Sequence, residues 1–261
     1  MNIVEVHDLD MPGLEPYARL TEAQLRNRLH PADGLFICES MKVIDIALAH
    51  GLRPASFLCE EKFLPTLPPT GATVYTGRRE VLRGLTGYEL SRGVLCAMHR
   101  PQLPPADELL RGLDGRRRVA VMDGVVNSEN TGALFRAAAA LGIDAVLPLR
   151  NCCDPLNRRA CRVSMGTVFQ LPWTWLDGYH QLRQAGFETV AMALTDRSVP
   201  IGDPSLGMIE RMAIVMGNEG DGLDEATLRL CDHTARIPMR RGVDSLNVAA
   251  AAAVAFYVLA R

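Results

Sequence analysis

Lysine is almost missing from this sequence: Lys42 and Lys62 are the only two among 28 basic residues. Nearly all the positive charge is therefore arginine, whose planar fork suits bidentate phosphate contacts, although a coding bias toward arginine and alanine explains the same count. An excess of either charge is missing too, since the formal net charge is −2. Taken alone, that balance argues against a strongly electrostatic nucleic-acid binder. No apolar run reaches the roughly 18 to 20 residues needed to span a bilayer. The opening MNIVEVHDLD carries acids where a signal peptide carries bases ahead of an apolar core. Neither a membrane nor a secretory role is expected, and the cytoplasm is the default location. Seven cysteines are an odd number, with no CxxC pair and no histidine at zinc-ligand spacing, so no disulfide framework and no metal is expected. Cys152 and Cys153 read as buried filler.

What remains is an ordinary globular composition, 48% hydrophobic and 22% charged over 261 residues. Residues 1–100 read as a small α/β unit. GLFICES (34–40) forms a strand, and MKVIDIALAHG (41–51) a helix with Val43, Ile44, Ala47 and Leu48 on one face and Gly51 as its C-terminal cap. Further strands are expected at 55–59, 73–76 and 93–98. The proline- and charge-rich RPQLPPADELLRGLDGRRR then breaks the pattern, which makes 101–116 a linker. Over 117–261, strands at 119–122, 144–147, 187–193, 212–216 and 234–237 alternate with helices near 131–141, 155–165, 177–185, 223–230 and 246–260. That alternation predicts an α/β domain with a mainly parallel sheet covered on both faces. The alanine-rich end VAAAAAVAFYVLAR is a core helix, a subunit interface, or both.

Three segments of this second domain carry candidate chemistry. DGVVNSENTGALFRAA runs from a strand into a helix, with Asn130 as the expected N-cap, Gly132 allowing close approach and Arg136 within the second turn, where a helix N-terminus attracts anions. A capped helix with an exposed arginine accounts for the same residues. AIVMGNEGDGL opens a strand into a loop with three glycines, the kind of loop that brings backbone groups close to a ligand. Leu223 stands where a phosphate-binding loop needs lysine, and GxGxxG spacing is missing, so the usual nucleotide fingerprints are excluded. Glu219 and Asp221 make the loop acidic, which suits a ligand with hydroxyls and positive charge better than a pyrophosphate. In IPMRRGVDSLNV, Ser245 or Asp244 can cap the alanine helix. Asn247 then lies inside its first turn and needs a polar partner, from a ligand or from the glycine loop.

NTGALFR, MGNEGDGL and IPM…SLNV, in this order and at these separations, resemble the three signature motifs of the SpoU (TrmH-like) RNA 2′-O-methyltransferases of the SPOUT superfamily. The resemblance covers residues 117–261, and the first hundred residues resemble, more loosely, the ribosomal-protein-like α/β domain that often precedes this catalytic domain and binds substrate RNA. It implies a deep trefoil knot, S-adenosylmethionine as cofactor, and a homodimer that completes the site. By motif matching, Gly217, Ile237 and Leu246 fall where the family holds the cofactor, with Leu194 and Thr195 added from the preceding strand end. Asn130, Arg136, Glu219, Ser245 and Asn247 fall on the catalytic-site positions.

The implied reaction is attack of a ribose 2′-oxygen, in rRNA or tRNA, on the sulfonium methyl. No histidine lies in the motifs, so Arg136 is the expected residue for fixing the RNA phosphate and ribose, with Asn130 orienting it and Ser245 and Asn247 shaping the pocket. A noncatalytic RNA-binding or ribosome-assembly protein on the same fold, and methylation of a base, are the competing readings. Among the arginine clusters, Arg116 to Arg118 and Arg158, Arg159 and Arg162 read as solvated surface. Arg240 and Arg241, beside the third motif, are the expected RNA contacts.

Overall fold

Continuous apolar strand sequences separated by short helices build two units, in a computed structural model that describes residues 2–8, 10–17, 34–86, 93–218 and 220–260. One unit comprises Met1–Gln102 with Leu156–Phe169, the other Leu103–Pro155 with Gln170–Arg261. In chain order the elements are β1 (Asn2–Glu5), β2 (Leu35–Glu39), α1 (Met41–Ala49), β3 (Pro54–Glu60), β4 (Thr73–Gly77), α2 (Arg79–Thr86) and β5 (Val94–His99). There follow α3 (Ala106–Arg111), β6 (Arg117–Met122), α4 (Ser128–Ala140), β7 (Ala145–Pro148), α5 (Arg158–Val163), α6 (Thr167–Gln170) and α7 (Tyr179–Gln184). The chain ends with β8 (Glu188–Met192), β9 (Val199–Pro200), α8 (Pro204–Gly207), β10 (Arg211–Met216), α9 (Glu225–Leu230), β11 (His233–Arg236) and α10 (Val248–Leu259).

The first unit holds a five-stranded sheet of order β1-β4-β3-β5-β2. Strands β1, β4 and β3 are parallel, while β5 runs antiparallel to β3 and β2. As the periodicity predicts, Val43, Ile44 and Ala47 of α1 are buried, and Gly51 takes the left-handed φ of 79° just past the helix end. β1 escaped the sequence reading because it is a mostly exposed edge strand with no inward-facing apolar pattern. Tyr17 is buried between β3 and β5, its hydroxyl 2.8 Å from the Ser56 Oγ and accepting from the Ala97 N–H at 3.2 Å.

Helix α5 belongs with this unit. Glu39, at the end of β2 and only 2% exposed, accepts from the Arg158 guanidinium at 2.7 Å and from that of Arg162 at 3.4 Å. A buried carboxylate requires such partners. Two of the three arginines read as solvated surface are thus committed to an internal charge cluster.

In the second unit every strand pairing is parallel, in the order β7-β6-β10-β8-β11-β9. The five strands expected from sequence all form; the two-residue β9 is too short to leave a pattern. Val119 and Val121 of β6 and Ala213 and Val215 of β10 pack with Ala106 and Leu110 of α3 and Leu182 of α7. The stretch read as a linker therefore contains a helix whose Leu110 is fully buried; six residues are too few to declare helical periodicity.

Arg118 points to the opposite face of the sheet from Val119 and departs from the reading of its cluster as surface, which holds for the exposed Arg116. It is 3% exposed and donates to the carbonyls of Leu259 at 2.7 Å, Ile209 at 2.9 Å, Glu210 at 2.9 Å and Arg117 at 3.0 Å. Its guanidinium thereby satisfies the C-terminal end of α10, where a helix welcomes positive charge. The two motif helices, α4 and α10, pack against each other.

Candidate active site

Because all six strands of the second unit are parallel, their carboxyl ends share one edge, the place where α/β sheets bind ligands. The loops after β6, β8, β10 and β11 lie there. Leu194, Thr195, Gly217 and Ile237 follow the ends of three adjacent strands. Leu194 is 65% exposed and Leu246 40%, so this edge presents apolar side chains to solvent. Thr195 is engaged in its own loop: its N–H donates to the Ser198 Oγ at 3.0 Å, and that hydroxyl donates to the Ala193 carbonyl at 2.8 Å.

The glycine loop closes on itself. A Cβ on Gly217 would lie 2.8 Å from backbone atoms of Gly222 and Leu223, closer than real contacts allow. Asn218, which sequence reading passed over, does most of the holding. Its N–H donates to the Gly222 carbonyl at 3.2 Å, its Oδ1 accepts from Gly220 N–H at 2.7 Å, and its Nδ2 donates to the Gly124 carbonyl at 2.8 Å. The usable signal was an asparagine set among glycines, a turn-forming combination. Gly217→Ala is expected to displace this loop and weaken S-adenosylmethionine binding about tenfold or more, checked by calorimetry, because overpacking against backbone costs about 1–3 kcal/mol.

A second polar group braces the same place from below. Asp123 accepts from Tyr179 Oη at 2.8 Å, from Asn151 Nδ2 at 2.8 Å and from Thr227 Oγ1 at 3.2 Å. Burial, reinforced by the Asp123 charge, pushes the Tyr179 hydroxyl far above its ordinary range, so it stays a proton donor. Asn151 Oδ1 accepts from the Gly124 N–H at 3.0 Å. Gly124, with φ 72°, is thus gripped at its N–H by Asn151 and at its carbonyl by Asn218, which couples the first motif to the second. Cys152, half-buried here and not filler, donates to the Met122 carbonyl, and burial raises its thiol to about 11.

The helix caps differ from those expected. Asn127 caps α4, accepting from the N–H groups of Glu129 at 2.8 Å and Asn130 at 3.1 Å, so Asn130 sits inside the first turn. Likewise Asn247, and neither Asp244 nor Ser245, caps α10 through the N–H groups of Ala249 and Ala250. Asparagine, aspartate and serine cap about equally well, so position decides: each of these asparagines is placed with its amide oxygen within reach of two N–H groups. Asn247 does need a partner, and it is neither ligand nor glycine loop: its Nδ2 donates to the Asn130 Oδ1 at 2.9 Å, joining the first and third motifs. Asn247→Ala removes cap and tie together and is expected to cost about 1–2 kcal/mol in chemical denaturation. Asn247→Asp keeps the cap but sets two acceptors against each other, so it separates the two contributions.

Arg136 is exposed in the third turn of α4, because the helix starts earlier than the sequence suggested. Neither its side chain nor that of the exposed Ser245 hydrogen-bonds to another described residue. Arg240 and Arg241 lie on an exposed turn closed by the Val243 N–H and the Arg240 carbonyl at 3.3 Å, with Arg241 at φ 61°. Glu219 lies outside the described residues.

The SpoU rRNA methylase family profile matches residues 117–257, from the first strand of this unit to its last helix. The chain belongs to the SpoU family. It is 36% identical, over 98% of its length and 91% of the relative's, to an uncharacterized tRNA/rRNA methyltransferase of Mycobacterium tuberculosis. It is 31% identical to the 23S rRNA (guanosine-2′-O-)-methyltransferase RlmB of Bordetella pertussis, over 76% of this chain and 81% of the relative. Among solved structures, an AdoMet-bound rRNA methyltransferase from Sinorhizobium meliloti superposes with a TM-score of 0.82 at 24% identity, covering 98% of this chain and 97% of that one. For this SpoU member that likeness extends the shared fold to both units, including the first hundred residues that the family profile leaves out.

Proposed function

We propose that the chain is a cytoplasmic, S-adenosylmethionine-dependent methyltransferase that modifies a ribose 2′-hydroxyl of rRNA or tRNA. The observation that carries this reading is the joining of the three family motifs at the carboxyl edge of a parallel sheet, by Asn218 to Gly124 and by Asn247 to Asn130. The residues suit the methyl donor: Leu194 and Leu246 offer apolar surface for its adenosine, and Asp221 offers negative charge beside a sulfonium. When bound, the donor supplies an electrophilic methyl on sulfur.

The chain's own residues do the rest. Gly217, Ile237 and Leu246, with Leu194 and Thr195, hold the donor, while Arg136 fixes the RNA phosphate and ribose so that the 2′-oxygen approaches in line. The 2′-hydroxyl proton would pass to the neighbouring RNA phosphate that Arg136 holds, as the donor would supply the methyl group to the 2′-oxygen. Arginine stays protonated, so Arg136 acts as a clamp rather than a base. Asn130, oriented by Asn247, Ser245 and the Glu219 of the second motif shape the reacting pocket, and Arg240 and Arg241 contact the RNA backbone.

Arg136 lies about 12 Å along the helix from its first residue at 1.5 Å per residue, and its side chain hydrogen-bonds to no described residue of the other motifs. That separation supports a homodimer in which each copy lends Arg136 to the other's site; exposed Tyr257 and Val258 on α10 suit such a face. The insertion of β10 between β6 and β8, both earlier in sequence, supports a trefoil knot. The mixed sheet of the first unit supports a ribosomal-protein-like RNA-binding domain.

The test is to incubate the protein with labelled S-adenosylmethionine and total RNA from a strain lacking the gene, then digest and weigh the nucleosides. A 2′-O-methylnucleoside is the expected product. A base-methylated nucleoside moves the acceptor, and no product with no donor binding leaves a noncatalytic RNA-binding protein.

A further inference from the structure

The first unit contains a cleft of about 590 Å³ that the motifs do not touch. It opens at the carboxyl ends of the parallel strands β1, β4 and β3 and is bordered by Glu5, Glu60, Glu61, Lys62, Arg78 and Arg79. Three carboxylates face three cations, so the rim is neutral and does not attract an anion indiscriminately. Several charges are already committed. Glu60 is paired with Lys62 at 2.8 Å and Arg79 at 3.5 Å, which holds its carboxyl below the usual range, and Glu5 lies 3.6 Å from the His7 ring. The side chains of Arg78 and Glu61 have no ion-pair or hydrogen-bond partner among the described residues.

Two further observations point to a ligand. Thr76 lines the cleft, is 7% exposed, and its buried Oγ1 lacks a hydrogen-bond partner. Such an orphan calls for a completing group. Helix α2 begins beside it at Arg79, and its first-turn N–H groups have no helical acceptor. The apolar walls are Leu64 and Ile3, the latter 51% exposed.

We propose that this cleft holds one unstacked nucleotide of the RNA substrate, its phosphate on Arg78 and the start of α2, and its base on Ile3 and Leu64 with an amino edge toward Glu61. The inference rests on the proposed RNA substrate and adds where the first unit reads it. One free cation, one free carboxylate and an orphaned hydroxyl match a ligand with one phosphate and a hydrogen-bonding base. A concave pocket of this volume admits a nucleotide splayed from its neighbours, the form in which proteins read RNA sequence, and excludes a duplex. Its lining residues all belong to the unit without the methyl-transfer motifs, and its role is to select substrate.

Arg78→Glu and Glu61→Ala alter exposed side chains outside the motifs. Each is expected to raise KM for RNA about tenfold while kcat at saturating RNA, S-adenosylmethionine affinity and melting temperature stay unchanged. KM within twofold of the parent for both variants overturns the proposal while leaving the methyltransferase reading intact. The pocket is also probed directly. Adenosine, guanosine, cytidine and uridine 5′-monophosphates, and inorganic phosphate, are titrated into the ¹⁵N-labelled full chain. Amide shifts over 60–62 and 76–80 with at least one nucleotide, and weaker ones with phosphate, support the site. Equal shifts with phosphate reduce it to an anion site and overturn the proposal, as does the absence of any shift. This arm stands even if the protein methylates no RNA.

Discussion

Arg136→Ala is expected to lower methyl transfer by about 10²-fold or more, the loss that follows when reacting atoms are no longer held in line. The affinity for S-adenosylmethionine should stay within twofold, because the loops proposed to hold the donor follow β8, β10 and β11 while Arg136 is exposed on α4. Single-turnover rates and calorimetry on one preparation separate the two quantities. Arg136→Lys keeps the charge and loses the bidentate fork, so it should recover little. Mixing adds a stronger condition. If each copy lends its arginine to the other, an Arg136→Ala chain combined with an inactive Gly217→Val chain forms heterodimers with one intact site. Activity should then reappear from two dead proteins. If it does not, the arginine serves its own chain; if Arg136→Ala turns over normally, the clamp assignment fails.

The largest expected loss of stability comes from Arg118→Met. The side chain is 3% exposed, and its removal takes the guanidinium donors from the carbonyls of Ile209 and Leu259, while the Glu210 carbonyl keeps the Arg117 N–H at 3.0 Å. Leaving two buried acceptors unpaired costs about 2–6 kcal/mol. That is a large share of the roughly 5–15 kcal/mol by which domains are stable. Urea denaturation should show a lower midpoint with an unchanged slope. Its neighbour gives the control: Arg116 is exposed and donates to the Gly207 carbonyl at 3.3 Å, so Arg116→Met should cost under about 1 kcal/mol. Equal losses would show that the buried guanidinium is not the source.

The contrast between these two arginines also shows where the sequence stopped being readable. RRR at 116–118 looks like one charged patch, and nothing local says that the third residue alternates into the interior of a strand flanked by apolar positions. Strands and long helices were legible because the repeat of apolar residues is itself the cause of their burial. Elements of two to six residues, β9 and α3, are held by tertiary packing and leave no repeat. At the site, the glycine loop was legible as a loop, while the hydrogen bonds that fix it were not. Asp123, Asn151, Tyr179 and Thr227 converge from four separate places in the chain, and no spacing rule joins them. The caps were misplaced because each segment offers several asparagine, serine or aspartate candidates within a few residues. Which one caps is decided by where the preceding strand delivers the chain. The Asn130–Asn247 bond spans 117 positions and is visible only once α4 and α10 are packed together.

Arg118 also sets a timetable for the protein's own synthesis. Three of the four carbonyls that satisfy its guanidinium lie 91, 92 and 141 residues further along the chain. While translation is under way, β6 therefore carries a cation with only its neighbour's carbonyl in place, and the set of acceptors is complete only when the final helix has emerged. Until then a guanidinium short of acceptors opposes burial of β6 in an unfinished chain.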